Sequence, residues 1–268
     1  MARAHLNDLY LDYDDHGSGE SVILVHGHPF DRSMWRPQIR HLVEANYRVV
    51  VPDLRGYGKT EVRPGVTTLS VFADDIIALL EHLGIRRTVV VGLSMGGQIV
   101  MDLAARFADR ITAIVLADTF PDAETSDGRQ SRMETADQLV RDGMSGYTDH
   151  NISKMLSPTT MTERPDVVDH VRTMMLVAPP AGAAAALRGR ALRREYVSTL
   201  EGLEIPALIV VGADDEFTTV TDAERMHHSI ASSELVVIDD TGHLPNLERP
   251  DTFNAALTAF LDAKAPTS

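Results

Sequence analysis

The sequence predicts an α/β domain: a mostly parallel sheet covered by helices on both faces, with a block of helices inserted before the last two strands. Two observations carry this. Short β-branched runs alternate with longer segments of helical period through most of the chain. Between about Pro121 and Glu195 the alternation stops, and helix-like stretches succeed one another with no good strand.

Taken in order, His5–Tyr13 alternates polar and apolar residues. With the turn-forming His16-Gly17-Ser18-Gly19 it reads as an antiparallel edge leading into the sheet. Val22–Val25 and Arg48–Val51 follow as strands, each bounded by Gly, Pro or Asp. Leu69–Leu83 has helical period and leads to the strand Thr88–Val91; Gly96–Phe107 is again helical and leads to Ile111–Leu116. After the helical block come the strand Ala207–Val211, the helix Val220–Ile230, the strand Leu235–Ile238 and a closing helix, Thr252–Leu261. Near-continuous apolar strands of this kind are buried on both faces. The expected division is a core of residues 1–120 and 196–268 carrying a helical cap, residues 121–195. The cap holds Met133, Met144, Met155, Met161, Met174 and Met175. Flexible apolar side chains suit a lid over a pocket, although an insertion packed only for stability would read the same way.

Bulk properties narrow the function. The chain has 268 residues, 44% hydrophobic and 24% charged, an ordinary globular composition that needs no staple. A formal net charge of −14 argues against nucleic acid and anionic membranes, which both want a basic face. It does not exclude an anionic substrate, because a local Arg cluster can override the global sign. Cysteine is absent, which removes disulfides, thiolate catalysis and Cys-ligated metals. The N-terminus lacks the apolar stretch of a secretory signal, and runs such as Ile114–Ala117 and Leu208–Val211 are too short to span a bilayer. The expectation is a cytoplasmic protein acting on a small molecule, with no cofactor; its oligomeric state is not legible.

The chemistry starts at Gly92-Leu93-Ser94-Met95-Gly96. A strand runs into Gly-x-Ser-x-Gly and a helix period follows at once. Glycines on both sides permit the strained strand-to-helix turn that exposes a serine Oγ. The helix N-terminus beneath it favours developing negative charge. Ser94 is therefore the candidate nucleophile, against the alternative of a serine that only caps the helix. At the end of an earlier strand stands His26-Gly27-His28-Pro29. Acyl transfer needs backbone N–H groups aimed at the oxyanion. Pro29 has none, so the His28 amide is the donor candidate in this loop and the Met95 amide the second. His26 reads as structural, and no third ligand stands beside His26 and His28 to make a metal site.

A nucleophilic serine in this context expects an acid and then a histidine downstream. Asp214, Asp215 and Glu216 follow the strand that ends near Gly212, and His243 follows the last strand after a flexible Gly242. Gly58-Lys59-Thr60 is not a phosphate loop, since the first glycine of that pattern would fall at Asp53. His227-His228 lies on an outer helix and reads as solvated or packing.

Together His26-Gly27-His28-Pro29, Pro52-Asp53-Leu54-Arg55-Gly56-Tyr57-Gly58, Gly92-Leu93-Ser94-Met95-Gly96-Gly97, Gly212-Ala213-Asp214-Asp215 and Gly242-His243 resemble the α/β-hydrolase superfamily across nearly the whole chain. The resemblance implies the α/β-hydrolase fold, with an eight-stranded sheet, and selects Asp215 over Asp214 as triad acid. Asp118, at another strand end, matches an alternative acid position of some relatives. A serine at this turn departs from the carboxylate nucleophile of haloalkane dehalogenases and epoxide hydrolases. Passages such as Leu116-Ala117-Asp118-Thr119, His170–Met175 and His243-Leu244-Pro245-Asn246-Leu247-Glu248 look like the 3-oxoadipate enol-lactonase branch, and are shared with small esterases. Phe120, Leu244 and Arg172 become candidates for substrate contact. Enol-lactonases act on an anion, and Arg172, Arg188, Arg190, Arg193 and Arg194 could partner one, with a solvated basic helix face as the blander reading.

The expected function is a serine hydrolase that cleaves a carboxylic ester or lactone through Ser94, His243 and Asp215. Two alternatives stand beside it: an acyl-transferring relative of the cofactor-free haloperoxidase kind, and a ligand receptor on a hydrolase scaffold.

Overall fold

The computed structural model describes residues 1–263. Eight strands form one sheet: β1 (Ala2–Leu6), β2 (Leu9–His16), β3 (Ser21–Val25), β4 (Arg48–Pro52), β5 (Thr88–Leu93), β6 (Ile111–Ala117), β7 (Ala207–Gly212) and β8 (Ser233–Ile238). They lie in the order β1-β2-β4-β3-β5-β6-β7-β8. β1 and β2 run antiparallel, and β3 to β8 are parallel throughout. The amino-terminal edge departs from the single strand expected over His5–Tyr13. Asn7 takes a left-handed φ of 51° and turns Leu6 back onto Leu9, giving a hairpin. Asparagine visits that region more readily than most side chains.

Five helices pack on the sheet, four of them in or near the expected places. They are α1 (Arg36–Glu44), α2 (Leu69–His82), α3 (Met95–Arg106) and, after the inserted block, the two helices Val220–Ser229 and Pro250–Ala263. α1 is absent from the pattern read along the sequence: it buries only Gln38 and Leu42, too few to print a helical stripe. Strand side chains alternate cleanly between two cores. On β6, Ile114 and Leu116 enter one, while Ala113, Val115 and Ala117 enter the other.

The inserted block runs from β6 to β7 as α4 (Ser126–Asp142), α5 (Ser145–Met155), α6 (Pro158–Glu163), α7 (Pro165–Val177), α8 (Pro180–Arg190) and α9 (Val197–Glu201). After it, the remaining helices are α10 (Val220–Ser229), α11 (Pro245–Glu248) and α12 (Pro250–Ala263). Leu139 of α4 and Ala183, Ala184, Ala186 and Leu187 of α8 join the first core; Ile152, Met155, Val171 and Met175 of α5 and α7 join the second. The block therefore rests on both halves of the domain. α8 is pinned closely: Thr67 N donates to Ala185 O at 2.9 Å, and a Cβ on Gly182 would fall 2.0 Å from Gly56 O.

Parallel register sets the strand ends side by side. Leu93 pairs with Ala117, Ala117 with Val210, and Gly212 with Ile238. In open α/β sheets, ligands bind along this carboxyl edge. Among the described residues, no helix is long and apolar enough to cross a membrane.

Candidate active site

Ser94 stands between β5 and α3 with φ 56° and ψ −116°, a conformation that L-residues seldom adopt. The surroundings fix it there. Its N–H donates to Ala117 O at 2.9 Å, and its carbonyl accepts from Gln98 N at 3.1 Å and Thr119 Oγ1 at 2.9 Å. A strained residue persists when its surroundings over-determine it. Gly96 permits the tight approach beneath: a Cβ there would lie 2.2 Å from Val25 O.

Asp215 and His243 meet as the sequence order suggests. His243 Nδ1 lies 2.8 Å from Asp215 Oδ2, a hydrogen bond that places the ring proton on Nδ1, and Phe217 N donates to Oδ1 at 2.8 Å. Asp214 is exposed and takes no part. The His243 loop is organised by Glu248, which the sequence reading passed over. Its Oε1 accepts from Gly242 N at 2.9 Å and Leu244 N at 3.3 Å, and its Oε2 accepts from Ser157 N at 2.8 Å. His243 N itself donates to Met155 O on α5.

Ser94 and His243 line one cavity of about 160 Å³, together with His28, Phe120, Gln98 and Arg190 among others. Among the described residues, neither the His28 amide nor the Met95 amide has an acceptor. His26 is structural: its Nδ1 bonds Gly27 O at 2.8 Å and its Nε2 accepts from Leu54 N at 2.9 Å. The His28 ring meets Tyr57 Oη at 2.7 Å. Burial holds His28 neutral, well below the ordinary histidine range, and the nearby Arg190 and Arg132 charges reinforce this. A larger groove of about 700 Å³ lies between the loop after β3 and α7, and none of Ser94, Asp215 or His243 lines it.

Two substrate-contact expectations need correction. Arg172 points away from the cavity and pairs with Asp149 at 2.7 Å on the surface. Leu244 is fully buried in the second core and is not part of the cavity lining. Among the other arginines, Arg188 pairs with Asp137, Arg193 with Glu124, and Arg194 with Asp102. Arg190 differs. It is 8% exposed, its Nε donates to Gln98 Oε1 at 3.1 Å, and among the described residues it has no carboxylate partner. Burial, then the charges of Arg132 and Arg193, push its guanidinium well below the usual arginine range. Arg132 of α4 also lines the cavity, as do Tyr147, Met155 and Phe217. Arg132, Tyr147 and Met155 come from the inserted block, where no local motif announces which side chains turn inward.

Comparison with known proteins agrees with this fold. Residues 20–250 match the family described as alpha/beta hydrolase fold. The chain is 28% identical to 3-oxoadipate enol-lactonase 2 of Acinetobacter baylyi, over 95% of this chain and 94% of that one. It superposes on a thermophilic esterase from Thermogutta terrifontis, solved with malate bound, at a TM-score of 0.96 with 35% identity, covering 98% and 99% of the two chains. A bromoperoxidase from Bacillus anthracis superposes at 0.86 with 26% identity, covering 97% and 100%.

Proposed function

Since the chain belongs to the alpha/beta hydrolase fold family, we propose that it is a serine hydrolase cleaving a carboxylic ester or lactone. One observation carries the reading: the Asp215–His243 hydrogen bond at 2.8 Å lies behind an imidazole that shares a cavity with the strained Ser94. With its Nδ1 proton held by Asp215, His243 presents Nε2 as the base. Nε2 takes the Ser94 proton as Oγ bonds to the carbonyl carbon. The carbonyl oxygen becomes an oxyanion, received by the unspent amides of His28 and Met95. Each such donor lowers the barrier by about 3 kcal/mol. The C–O bond then breaks, the leaving alcohol takes the proton from His243, and an acyl-serine remains. Water attacks with His243 again as base. In a lactone the alcohol stays tethered to the acyl group, so deacylation must outrun re-closure.

The inserted helices, residues 121–195, serve as the lid and supply recognition. A cavity of about 160 Å³ suits a short acyl group. Arg190, a buried cation with no carboxylate partner, favours an acyl group that carries its own carboxylate. Malate, found on the Thermogutta esterase, is a dicarboxylate of comparable size.

The test is Ser94→Ala, assayed with p-nitrophenyl acetate and with monomethyl succinate. Loss of turnover with an unchanged fold is expected; undiminished turnover refutes the reading. Similarity to a bromoperoxidase favours a second reading, acyl transfer to peroxide. Product analysis with competing acceptors separates the two, because a perhydrolase forms the peracid where a hydrolase releases only the acid. Multiple turnover of any ester removes the receptor alternative.

A further inference from the structure

Beside the Asp215–His243 pair, and lining the same cavity as Ser94, stands a third buried acid that the reaction above does not use. Asp118 follows β6 at φ 46°, its N–H donating to Val210 O and its Oδ1 accepting from Gly212 N at 2.9 Å. Asp118, Asp215 and His243 each bring one side-chain atom into a cluster spanning no more than 4.8 Å. Glu248 is the other carboxylate acting on Asp118.

The donors around these three acids are unequally shared. Both oxygens of Glu248 accept backbone N–H groups. Both oxygens of Asp215 are also occupied, by Phe217 N and His243. Asp118 Oδ2 is buried and, among the described residues, accepts from nothing. A buried carboxylate oxygen with no donor, close to a second carboxylate, is the arrangement in which two acids cannot both ionise. The acid with fewest donors keeps the proton, and a protonated oxygen then becomes a donor itself.

We propose that Asp118 carries a proton in the folded enzyme and donates it to the Asp215 carboxylate, making Asp118 a positioning residue for the triad. Its other oxygen is tied to Gly212, three residues before Asp215, so the carboxyl braces the acid loop from two sides. Burial first, then the Asp215 charge, raise Asp118 well above the ordinary carboxylate range, in keeping with this geometry. Asp118 is thus no alternative triad acid; it moderates the acid already in place. By drawing charge from Asp215 it lessens the stabilisation of the protonated imidazole, so His243 is freed as a base at lower pH. The proton stays between the two acids and does not enter the reaction.

The inference rests on the serine-hydrolase reading, and its test is built to fail separately. Asp118→Asn keeps an N–H donor and an acceptor on the same frame, whereas Asp118→Ala keeps neither. With p-nitrophenyl acetate, Asp118→Asn is expected within about threefold of wild type, with the acid limb of the kcat/KM profile unmoved. Asp118→Ala is expected to lose about tenfold at neutral pH and to move that limb upward by about one pH unit, since Asp215 then acts with its full charge. A structural defect alone would lower activity without moving the limb. Infrared difference spectra of the Ser94→Ala background, with and without Asp118→Asn, supply a readout independent of turnover. The protonated acid should show a carbonyl stretch above the carboxylate bands, lost in the Asn variant. Absence of that band, or an identical pH profile in the Asn and Ala variants, overturns the proposal. Retained turnover in Ser94→Ala would instead overturn the hydrolase reading and leave the infrared result standing.

Discussion

Replacing Arg190 with Met separates recognition from stability, because the two should change in opposite directions. The arginine is 8% exposed and its side chain has one protein partner, Gln98 at 3.1 Å. A buried cation without an anion opposes folding, and replacing such ions by apolar side chains of similar volume stabilises by about 1–4 kcal/mol. Losing the bond leaves Gln98, 1% exposed, with an unmet acceptor, which costs about 1 kcal/mol. The net lies between no change and a gain of about 3 kcal/mol, or up to about 12 °C in Tm for a chain of this size. Catalysis should answer differently. A hydrogen bond to a charged group is worth about 1.5–3 kcal/mol, so kcat/KM for monomethyl succinate should fall by about 10- to 150-fold. Methyl butyrate, of similar shape but uncharged, should lose little. Thermal melts and paired ester assays on one preparation decide it. A lower Tm with equal losses on both esters would show that Arg190 is only a prop, and the anionic acyl group would have to be given up.

Three further outcomes follow from the same geometry. Gly96→Ala places a Cβ 2.2 Å from Val25 O; since a displacement of about 1 Å in a catalytic group costs about 100-fold, kcat/KM should fall by at least that, and near-normal turnover would contradict the packing. His28 is held neutral by burial and by Arg190 and Arg132, while in the unfolded chain it protonates near ~6.5. Its contribution to stability is therefore complete above about pH 6.5 and is lost as pH falls below it. His28→Gln should accordingly narrow the Tm drop between about pH 7.5 and 5.5, and an unchanged slope would count against a neutral buried imidazole. Finally, a chain of formal net charge −14 repels an anionic ester at a distance. Salt shortens the Debye length to about 8 Å at 0.15 M, so kcat/KM for monomethyl succinate should rise with moderate salt while methyl butyrate stays flat. A fall with salt would mean that the arginines dominate the long-range field.

What could be read in advance was local or topological. The strand, glycines and helix around Ser94 occupy one continuous segment, so the strained turn is written in consecutive residues. Asp215 and His243 are far apart in sequence, but both follow parallel strands, and parallel register brings their ends to one edge. The lid was legible only as an interruption. Arg172 and Arg190 both sit on helices of that block, and only packing decides between them. α7 turns Arg172 to solvent beside Asp149, whereas α8 is buried nearly all round and carries Arg190 inward with its alanines. An Ala-rich helix gives no amphipathic stripe from which to read a face. The Glu248 and Asp118 contacts were hidden for a similar reason, since each joins loops that meet only after the sheet has formed.

The arrangement divides labour between two parts of the chain. Ser94, Asp215, His243 and the His28 and Met95 amides all sit just beyond strand ends of the sheet. Arg132, Tyr147, Met155 and Arg190 come from the inserted helices. Exchanging the helices should therefore change what is bound more readily than what is done to it. The separation is incomplete at His28. Its ring joins the sheet to the lid, bonded to Tyr57 at 2.7 Å and edge-on to Tyr147 at 5.8 Å. It is kept uncharged partly by Arg190 and Arg132. Protonating it would add a positive charge to a pocket that already holds Arg190, a cation with no carboxylate partner among the described residues, at the loop proposed to carry the oxyanion donor. On the proposed reading, Arg190 and Arg132 act twice through one field: they favour an anionic acyl group and help keep a neutral imidazole beside it. Removing Arg190 should raise the proton affinity of His28, so a change made for specificity would also reach the oxyanion loop.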